Sequence, residues 1–381
     1  MLLIENATII ICTGEVIEKG KLLIKGKKIE KVGHFTYEND DVKIMDAKDK
    51  VISPGLIDVH THLGVHEEGI GNIGHDFNET SDPITPEVRA IDGINPREKG
   101  FEDARKAGVT TVQVLPGSAN VIGGEMVTMK TVGTIVDEMV IRNPSGMKAA
   151  FGENPKRLHG TKGKVPVTRM GIAALFRKEM RKAQQYLEKK ENGKDPDFDL
   201  GLENLCKVLQ KEIPLRAHAH RADDIVTLLR LAKEFDIEIT IEHCTEGHHI
   251  AEYVASHGFH VSVGPTMSTR SKIELSEKGW HTPKVLAEAG VPVSITTDHP
   301  VVGIEYLLSS VANAIRFGLS ETEAWKSITL TAAKHLGVED QVGSLEEGKD
   351  ADLVIWNGDP FDLRNSVETT IINGEIVYNK D

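Results

Sequence analysis

The middle of the chain alternates short apolar runs with segments whose apolar residues recur every three or four positions. Runs rich in Val, Ile, Thr and Ala predict strands at 108–115, 147–152, 215–219, 237–241, 260–264 and 291–297. Helical periodicity is clearest at 223–235, 305–316 and 320–336, and Ser320 with Glu323 predicts a capping box at the start of the last helix. Strands that alternate with helices are typical of a parallel sheet with crossover helices, and such units close into a (β/α)₈ barrel.

Both ends of the chain have a different pattern, in which short β segments are separated by glycines. The predicted strands are 2–12, 21–24, 28–32 and 351–356, with a hairpin at 369–378 around Asn373 and Gly374. We therefore expect an α/β fold made of a (β/α)₈ TIM-type barrel over residues 54–338 and a small β-sandwich domain. Residues 1–53 and 339–381 together would form the small domain, because chain ends often lie close together.

Composition narrows the classes of function. The 381 residues carry 45 Lys and Arg against 58 Asp and Glu, and this acidic excess argues against nucleic acid or an anionic membrane as a partner. No apolar run reaches the roughly 18 residues of a spanning helix. The three cysteines include no C-x-x-C, so we expect the reducing cytoplasm rather than a disulfide framework. The sequence does not determine the oligomeric state, and it is compatible with a homo-oligomer.

The 16 histidines are more informative, because several of them share a strand face. In the segment 57–62, Ile57 and Val59 alternate with Asp58, His60 and His62, which predicts one apolar face and one face that carries both histidines. Two imidazoles at i and i+2 at the end of a strand can reach one metal ion.

The same arrangement recurs on three later strands. One face of 215–220 carries His218 and His220, the strand at 239–243 ends on His243, and the strand at 293–298 ends on Asp298. Barrel enzymes assemble their sites at the carboxyl ends of the strands. Polar side chains at four strand ends therefore predict a metal site there.

These motifs resemble the metal-dependent amidohydrolase superfamily, and most closely its group related to imidazolonepropionase and to prolidase-type dipeptidases. The resemblance rests on 54–62, 241–243, 297–298 and the closing segment 342–354. It implies that His60 and His62 bind one divalent metal ion and that His218 and His243 bind a second. It also implies that Asp298 is both a ligand and the catalytic acid or base. Zinc suits these ligands, and manganese, cobalt or iron would also fit.

The ligand that bridges the two metals is open. Superfamily members use a carboxylated lysine or a glutamate, and the candidate strand is 147–154. If Ala149, Phe151 and Glu153 share the inward face, the bridge is Glu153, which we favour; the opposite register would give Lys148.

We expect three further residues to contact a small-molecule substrate. His220 shares the face of His218, and since one metal rarely takes both, His220 is assigned to the substrate. Asn120 lies in a Gly-rich loop after the strand 108–115, and Arg221 could pair with a substrate carboxylate. His299 points away on strand alternation and is not expected to be a ligand.

The expected reaction is hydrolysis of a carbon–nitrogen bond in an amide, dipeptide or cyclic amide by a metal-bound hydroxide. One alternative is a mononuclear deaminase of the same superfamily, although no glutamate closely follows His218. The other is a barrel that has lost catalysis and serves as a scaffold.

Overall fold

A computed structural model describes residues 1–14, 16–37 and 41–380. Its strands form two sheets of eight strands each, one from the middle of the chain and one from both ends. The strands are β1 (Leu2–Ile9), β2 (Ile17–Lys25), β3 (Lys28–Gly33), β4 (Lys43–Asp46), β5 (Val51–Pro54), β6 (Leu56–Thr61), β7 (Val109–Val114), β8 (Ile122–Lys130), β9 (Val140–Ala150), β10 (Leu215–Ala219), β11 (Ile239–His243), β12 (Val261–Val263), β13 (Val293–Ile295), β14 (Leu353–Trp356), β15 (Val367–Ile372) and β16 (Glu375–Asn379). The helices are α1 (Lys99–Lys106), α2 (Val136–Met139), α3 (Glu153–Thr161), α4 (Arg169–Glu191), α5 (Leu200–Leu209), α6 (Ala222–Phe235), α7 (Ala251–Ala255), α8 (Thr282–Glu288), α9 (Leu307–Arg316), α10 (Glu321–Ser327) and α11 (Leu330–Leu336).

The central sheet runs from β6 to β13 in chain order and is nearly closed. At the seam, the backbone N–H of His62 donates to the carbonyl of His299 over 2.8 Å. Asp58 on β6 reinforces this contact, because its buried carboxylate accepts hydrogen bonds from Thr296 and from the backbone and hydroxyl of Thr297. Side chains as well as backbone therefore join the first strand of the barrel to the last.

One strand departs from the expected alternation of parallel strands and helices. Strand β8 pairs antiparallel with both β7 and β9, whereas the other neighbours in this sheet pair in parallel. The connection between Val114 and Ile122 is too short for a crossover helix, which a parallel pair requires. The last three residues of the Gly-rich segment 117–124, which was interpreted as a loop, are thus the start of a strand.

Another difference concerns the predicted helix 320–336, which is two helices. Ser320 caps α10 as expected, since its side chain accepts from the backbone N–H of Glu323. The helix then breaks at Ile328 and Thr329, and the carbonyl of Ile328 accepts from the backbone N–H of Ile57 on β6 over 2.8 Å. The break allows the chain to bond to the barrel strand that carries the first histidines.

The second sheet has the order β16-β15-β14-β5-β1-β2-β3, and β4 pairs with β1. Its halves meet where β5 pairs antiparallel with β14. The predicted hairpin is present, with Asn373 and Gly374 at φ 52° and 77°, as a two-residue type I′ turn requires. These strands pair as one sheet, and the two-layered sandwich and the domain boundaries remain predictions; residues 15, 38–40 and 381 of the proposed small domain lie outside the described residues.

Apolar residues of the central strands pack against the surrounding helices. Met147, Leu215 and Ile241 are fully buried together with Phe176 of α4 and Leu228 of α6. Helix α4 has an apolar stripe that faces the core, while its lysines face outward. Among the described residues, every helix is too short or too polar to cross a bilayer.

Candidate active site

His60 and His62 lie at the carboxyl end of β6, on either side of one carboxylate. Their Nε2 atoms are 3.4 Å and 3.3 Å from Asp298 Oδ1. The Nδ1 atom of His60 lies 3.0 Å from Glu242 Oε2, and that of His62 lies 2.8 Å from the carbonyl oxygen of Leu115. A neutral imidazole that donates from Nδ1 has its lone pair on Nε2, which is the form that binds a metal ion.

Asp298 follows β13 and reaches the two histidines through an unusual backbone. Its φ is 55°, in the left-handed region that Asp tolerates better than most residues. Burial alone would raise the pKa of Asp298, but the hydrogen bond with His62 and the His243 and His60 rings outweigh it and hold that pKa below its usual range. The carboxylate is therefore ionised at neutral pH and can accept a proton or bind a cation.

Lys148, and not Glu153, lies at this centre, which corrects the register that we favoured. Strand β9 ends at Ala150, so the alternation does not extend to Glu153, which is the first residue of α3. Lys148 is level with Arg216 on β10 and is fully buried, with Nζ 3.3 Å from His60 Nε2. Burial lowers the pKa of Lys148 to about 8.

A second group consists of His218, His220 and His243, each of which offers a nitrogen within 4.8 Å of the others. The Nδ1 atoms of His220 and His243 are each 2.7 Å from an oxygen, the hydroxyl of Thr245 and the carbonyl of Gly264. Neither ring nitrogen of His218 has a hydrogen-bond partner among the described residues, although the side chain is buried. Buried polar atoms are normally paired, so a ligand is expected at His218.

Strand alternation does not explain why the His243 side chain lies in this group. Alternation places His243 with Ile239 and Ile241, but these isoleucines belong to the core between strands and helices. In the parallel pairing, His218 is level with Glu242. His243 is the last residue of β11 and has φ 74°, which turns it toward the other histidines.

The sequence reasoning missed the role of Glu242, a fully buried carboxylate between the strands. Besides His60, it accepts from Ser262 Oγ at 2.5 Å and Thr240 Oγ1 at 2.6 Å, and it lies 3.1 Å from His335 Nε2. Burial would raise the pKa of Glu242, but His335 and His60 reverse this and hold it well below its usual range. Its position directly before His243, on a fully buried strand, was the available signal.

Glu274 was also missed, because it lies in a short 3₁₀ turn far from any motif. Its side chain is fully buried, with Oε1 3.5 Å from His218 Nε2 and 3.7 Å from His220 Nε2. Its other oxygen accepts from the backbone N–H of Glu153 over 2.9 Å. No sequence signal could have placed this loop carboxylate beside the histidines.

Two of the residues expected to contact substrate lie elsewhere. Both ends of the Asn120 amide are occupied, since the nitrogen donates to Glu79 and Thr85 and the oxygen is 2.9 Å from His159 Nε2. Arg221 pairs with Asp223 at 2.9 Å and lines a neighbouring cavity of about 510 Å³ together with Glu153. His220 remains close to the centre.

A cavity of about 350 Å³ opens onto the site. Its polar floor contains His62, His218, His220 and Asp298, while Phe77 and Arg157 contribute to its walls. His66 stacks on Phe77 with 4.3 Å between ring centroids and 8° between ring planes. The cavity is large enough for a small molecule and brings it against the histidines.

The protonation states suit a metal site. Burial lowers the pKa of His60 to about 3, and it lowers the pKa values of His218, His220 and His243 as well. Neutral imidazoles and an ionised carboxylate are the forms in which these groups bind divalent cations. His299 is different: its Nδ1 accepts from the backbone N–H of Ile304, so Nε2 carries the proton and is not available as a ligand.

Comparison with known proteins places this site in a family. The sequence model of the Amidohydrolase family matches residues 51–377. The chain therefore belongs to the amidohydrolase family and is a hydrolase of carbon–nitrogen bonds, as the motifs predicted.

Three relatives show how far the similarity extends. A crystal structure of an amidohydrolase from Thermotoga maritima MSB8 superposes with a TM-score of 0.97 at 42% identity, with all of both chains covered. The imidazolonepropionase of Geobacillus kaustophilus is 26% identical over 95% of this chain and 89% of its own length. Amidohydrolase tasK of Hapsidospora irregularis is 29% identical over 84% of this chain, which spans only 36% of that longer protein.

Proposed function

We propose that this protein hydrolyses an amide, dipeptide or cyclic-amide bond in a small molecule, with two divalent metal ions bound. The observation that carries the proposal is the convergence of His60 and His62 on Asp298, with His218 and His243 beside them. Zinc is the metal that we expect, since imidazole and carboxylate ligands suit it. Bound ions would polarise the scissile carbonyl and lower the pKa of the attacking water.

Asp298 would act as the catalytic acid and base. Its carboxylate is ionised and lines the cavity, so it can accept a proton from the attacking water. It can then deliver this proton to the leaving nitrogen, which must be protonated to depart as an amine. General acid–base catalysis of this kind contributes about 10²–10⁴ in rate.

Lys148 would be the bridging ligand, in place of Glu153. It is the buried amine nearest to His60, and the lowering of its pKa to about 8 increases the fraction of neutral amine. Only the neutral amine can react with carbon dioxide to form a carbamate, whose two oxygens can bridge two cations. Glu153 faces a different cavity at the start of α3.

The cavity walls favour a substrate with an anionic group. Arg157 lines the cavity, and a guanidinium can bind a carboxylate through two parallel hydrogen bonds. In contrast to the charged Arg157, the stacked rings of His66 and Phe77 offer a flat surface that suits an apolar or aromatic group of the substrate. We therefore expect carboxylate-bearing amides, such as N-acyl amino acids and dipeptides, to be better substrates than neutral amides.

The test is a screen of the metal-reconstituted protein against N-acyl amino acids, dipeptides and cyclic amides. We expect turnover in at least one class and a loss of about 10²-fold or more in Asp298→Asn. Asp223→Asn is the matched control, because Asp223 is exposed and pairs with Arg221 outside the cavity. Undiminished turnover in Asp298→Asn would show that this carboxylate is not the catalytic acid and base.

Two other outcomes would select the alternatives. One metal ion per chain, together with ammonia release from an aminated heterocycle, would favour the mononuclear deaminase. A metal-loaded protein that turned over none of the panel would favour the scaffold.

A further inference from the structure

A second cavity lies beside the candidate active site and shares a residue with it. The volume of this second cavity is about 510 Å³, and Arg157 lines both cavities. Glu153 and Glu274 line the second cavity, whereas their near neighbours in the chain, Asn154 and Lys272, line the first. The start of α3 and the turn around residue 273 therefore separate the two spaces. A molecule that is bound against the histidines and extends past Arg157 would enter the second cavity.

The chain segment that forms much of this cavity has an unusual charge composition. Residues 154–178 contain seven Lys and Arg and no Asp or Glu, although the whole chain has 58 acidic and 45 basic residues. Lys156, Arg157 and Arg169 of this segment line the second cavity, and Arg221 lines it from the end of β10. Positive charge concentrated in a cleft of an acidic protein attracts anions to that cleft.

Two of these four basic residues already have carboxylate partners. Arg169 Nε lies 3.0 Å from Asp224 Oδ1, and Arg221 Nε lies 2.9 Å from Asp223 Oδ1. These pairs neutralise both guanidinium groups, so neither arginine is a strong candidate for binding a further anion.

The other two basic residues have no such partner. Neither Lys156 nor Arg157 forms an ion pair within the described part of the chain. Of the two acidic residues that line the cavity, Glu274 pairs with Lys272 at 2.7 Å, and Glu153 is unpaired among the described residues. Two unpaired cations against one unpaired carboxylate leave one net positive charge in the cavity, which one additional anionic group would neutralise.

The same cavity also has apolar walls. Ile273 and Val167 line it, and they are 76% and 55% exposed. Binding cavities typically combine such apolar surface with a few polar groups that fix the orientation of the ligand. A short aliphatic chain that ends in a carboxylate matches both features, because its methylene groups would cover the apolar side chains and its charge would meet the unpaired cations.

We propose that the second cavity binds an acidic side chain of the substrate, so that the preferred substrate is an amide of a dicarboxylic amino acid such as glutamate. Lys156 would bind the side-chain carboxylate, while Arg157, which lines both cavities, would bind the α-carboxylate. This proposal rests on the proposed function for the reaction, and it adds a second anionic group to the substrate.

The experiment compares two substrates that differ only in this charge, an N-acyl glutamate and the corresponding N-acyl glutamine. We expect the wild type to have a kcat/KM about 10-fold higher for the glutamate compound, because an ammonium binds a carboxylate more strongly than an amide. The preference should decrease as sodium chloride is added, since salt screens the attraction between partly exposed charges. These measurements use the unmodified protein and do not depend on the folding of a variant.

Three variants assign the preference to the second cavity. Lys156→Met should bring the ratio close to one by raising KM for the glutamate compound, with little change in kcat. Glu153→Gln should increase the ratio, because it removes the unpaired negative charge. Lys178→Met is the matched control: Lys178 is an exposed lysine of the same basic segment that lines neither cavity, and its variant should keep the wild-type ratio.

The failure of this proposal can be distinguished from the failure of the proposed function. Equal kcat/KM values for the two compounds in the wild type, or a preference that Lys156→Met retains, would overturn the assignment of the second cavity and leave the proposed function intact. Turnover of cyclic amides alone would have the same meaning. If the metal-loaded protein hydrolysed neither compound and no other amide of the screen, both proposals would be overturned.

Discussion

The Nδ1 atom of His60 lies 3.0 Å from a carboxylate oxygen of Glu242, and both side chains are fully inaccessible to solvent. The same carboxylate also contacts Ser262, Thr240 and His335. Because His335 lies in α11, Glu242 connects β6, the first barrel strand, to the last helix before β14. This contact fixes the tautomer of His60 and the direction of its Nε2 atom. Glu242 therefore acts on the site through His60 and is a positioning residue.

Glu242→Gln should weaken metal binding without removing a ligand. The amide keeps the size of the carboxylate but replaces one acceptor oxygen with a donor, so either His60 or His335 loses its partner. We expect metal affinity to fall about 10–100-fold. The free energy of unfolding should fall by about 1–3 kcal/mol.

The measurements are a competition titration with a metal chelator and urea denaturation. Glu246→Gln is the control, because the Glu246 side chain accepts from the backbone N–H of Ala222 at the start of α6, and its contact with His220 is a backbone hydrogen bond that the substitution keeps. Equal metal affinity in Glu242→Gln and Glu246→Gln would contradict the positioning role.

Lys148 should carry a carbamate in the metal-loaded protein. Reconstitution with ¹³C-bicarbonate should then give a carbamate carbon resonance that is absent from Lys148→Met. Lys272→Met should keep the resonance, since Lys272 forms an ion pair with Glu274 at 2.7 Å. Glu153→Gln should retain its metal. A resonance that persists in Lys148→Met, or loss of metal from Glu153→Gln, would restore the register that we first favoured.

The metal-free protein should lose stability in mild acid. Burial lowers the pKa of His60 to about 3 and that of His299 to about 4, whereas the unfolded chain titrates its histidines near 6.5. Between these values the unfolded state binds more protons, so stability is full above pH ~6.5 and declines as the pH falls toward ~4. Each unit of pKa shift is about 1.4 kcal/mol, so the loss should be a few kcal/mol.

Urea denaturation between pH 8 and pH 4.5 checks this pH dependence. The pKa of His260 is also lowered by burial, to about 3, and His260→Gln should flatten the decline because one titrating group is removed. His34→Gln, a change at an exposed histidine, should not. A stability that stays constant from pH 7 to pH 5 would contradict the burial argument.

Lys130 should contribute strongly to stability. It is buried at the end of β8, and its ammonium contacts Asp350 at 2.9 Å and also Asp352, both close to β14 of the end sheet. Lys130→Met would leave the buried Asp352 without its cation and Asp350 with Lys28 alone, and we expect a loss of about 3–5 kcal/mol. Lys106→Met, which breaks an exposed pair with Glu102, should cost less than about 1 kcal/mol. Urea denaturation would measure the loss in free energy of unfolding for each variant. Losses of similar size would show that the buried ion pairs of Lys130 contribute no more than the exposed pair of Lys106.

Local patterns predicted those parts of the site that lie on regular strands. His60, His62 and His218 follow from alternation, because a single strand decides which face each side chain takes. Lys148 did not, because the inward face of β9 depends on its register with β10 and on where the strand ends. His243 and Asp298 reach the site through positive φ angles, which alternation does not describe.

Contacts between distant segments account for the rest. Glu274 lies in a turn with no regular pattern, and its place beside His218 is set by the packing of that turn on α3. The Gly-rich loop predicted from the sequence includes Ile122, Gly123 and Gly124, which are in fact the first three residues of β8. Gly124 has φ 117° and lies against the backbone of Val88. A glycine at this strand position therefore allows the two backbone segments to approach each other closely.

The pairing of β5 with β14 has a consequence for synthesis of the protein. A ribosome releases β1 to β5 first, but β14 to β16 emerge only after the whole barrel sequence has followed. Until then β5 presents an unpaired edge, which is a template for association with other chains. The barrel can begin to fold during this interval, whereas the second sheet can only be completed once β14 to β16 have been synthesised. Nascent chains that stall within the barrel should therefore be the species that needs a chaperone.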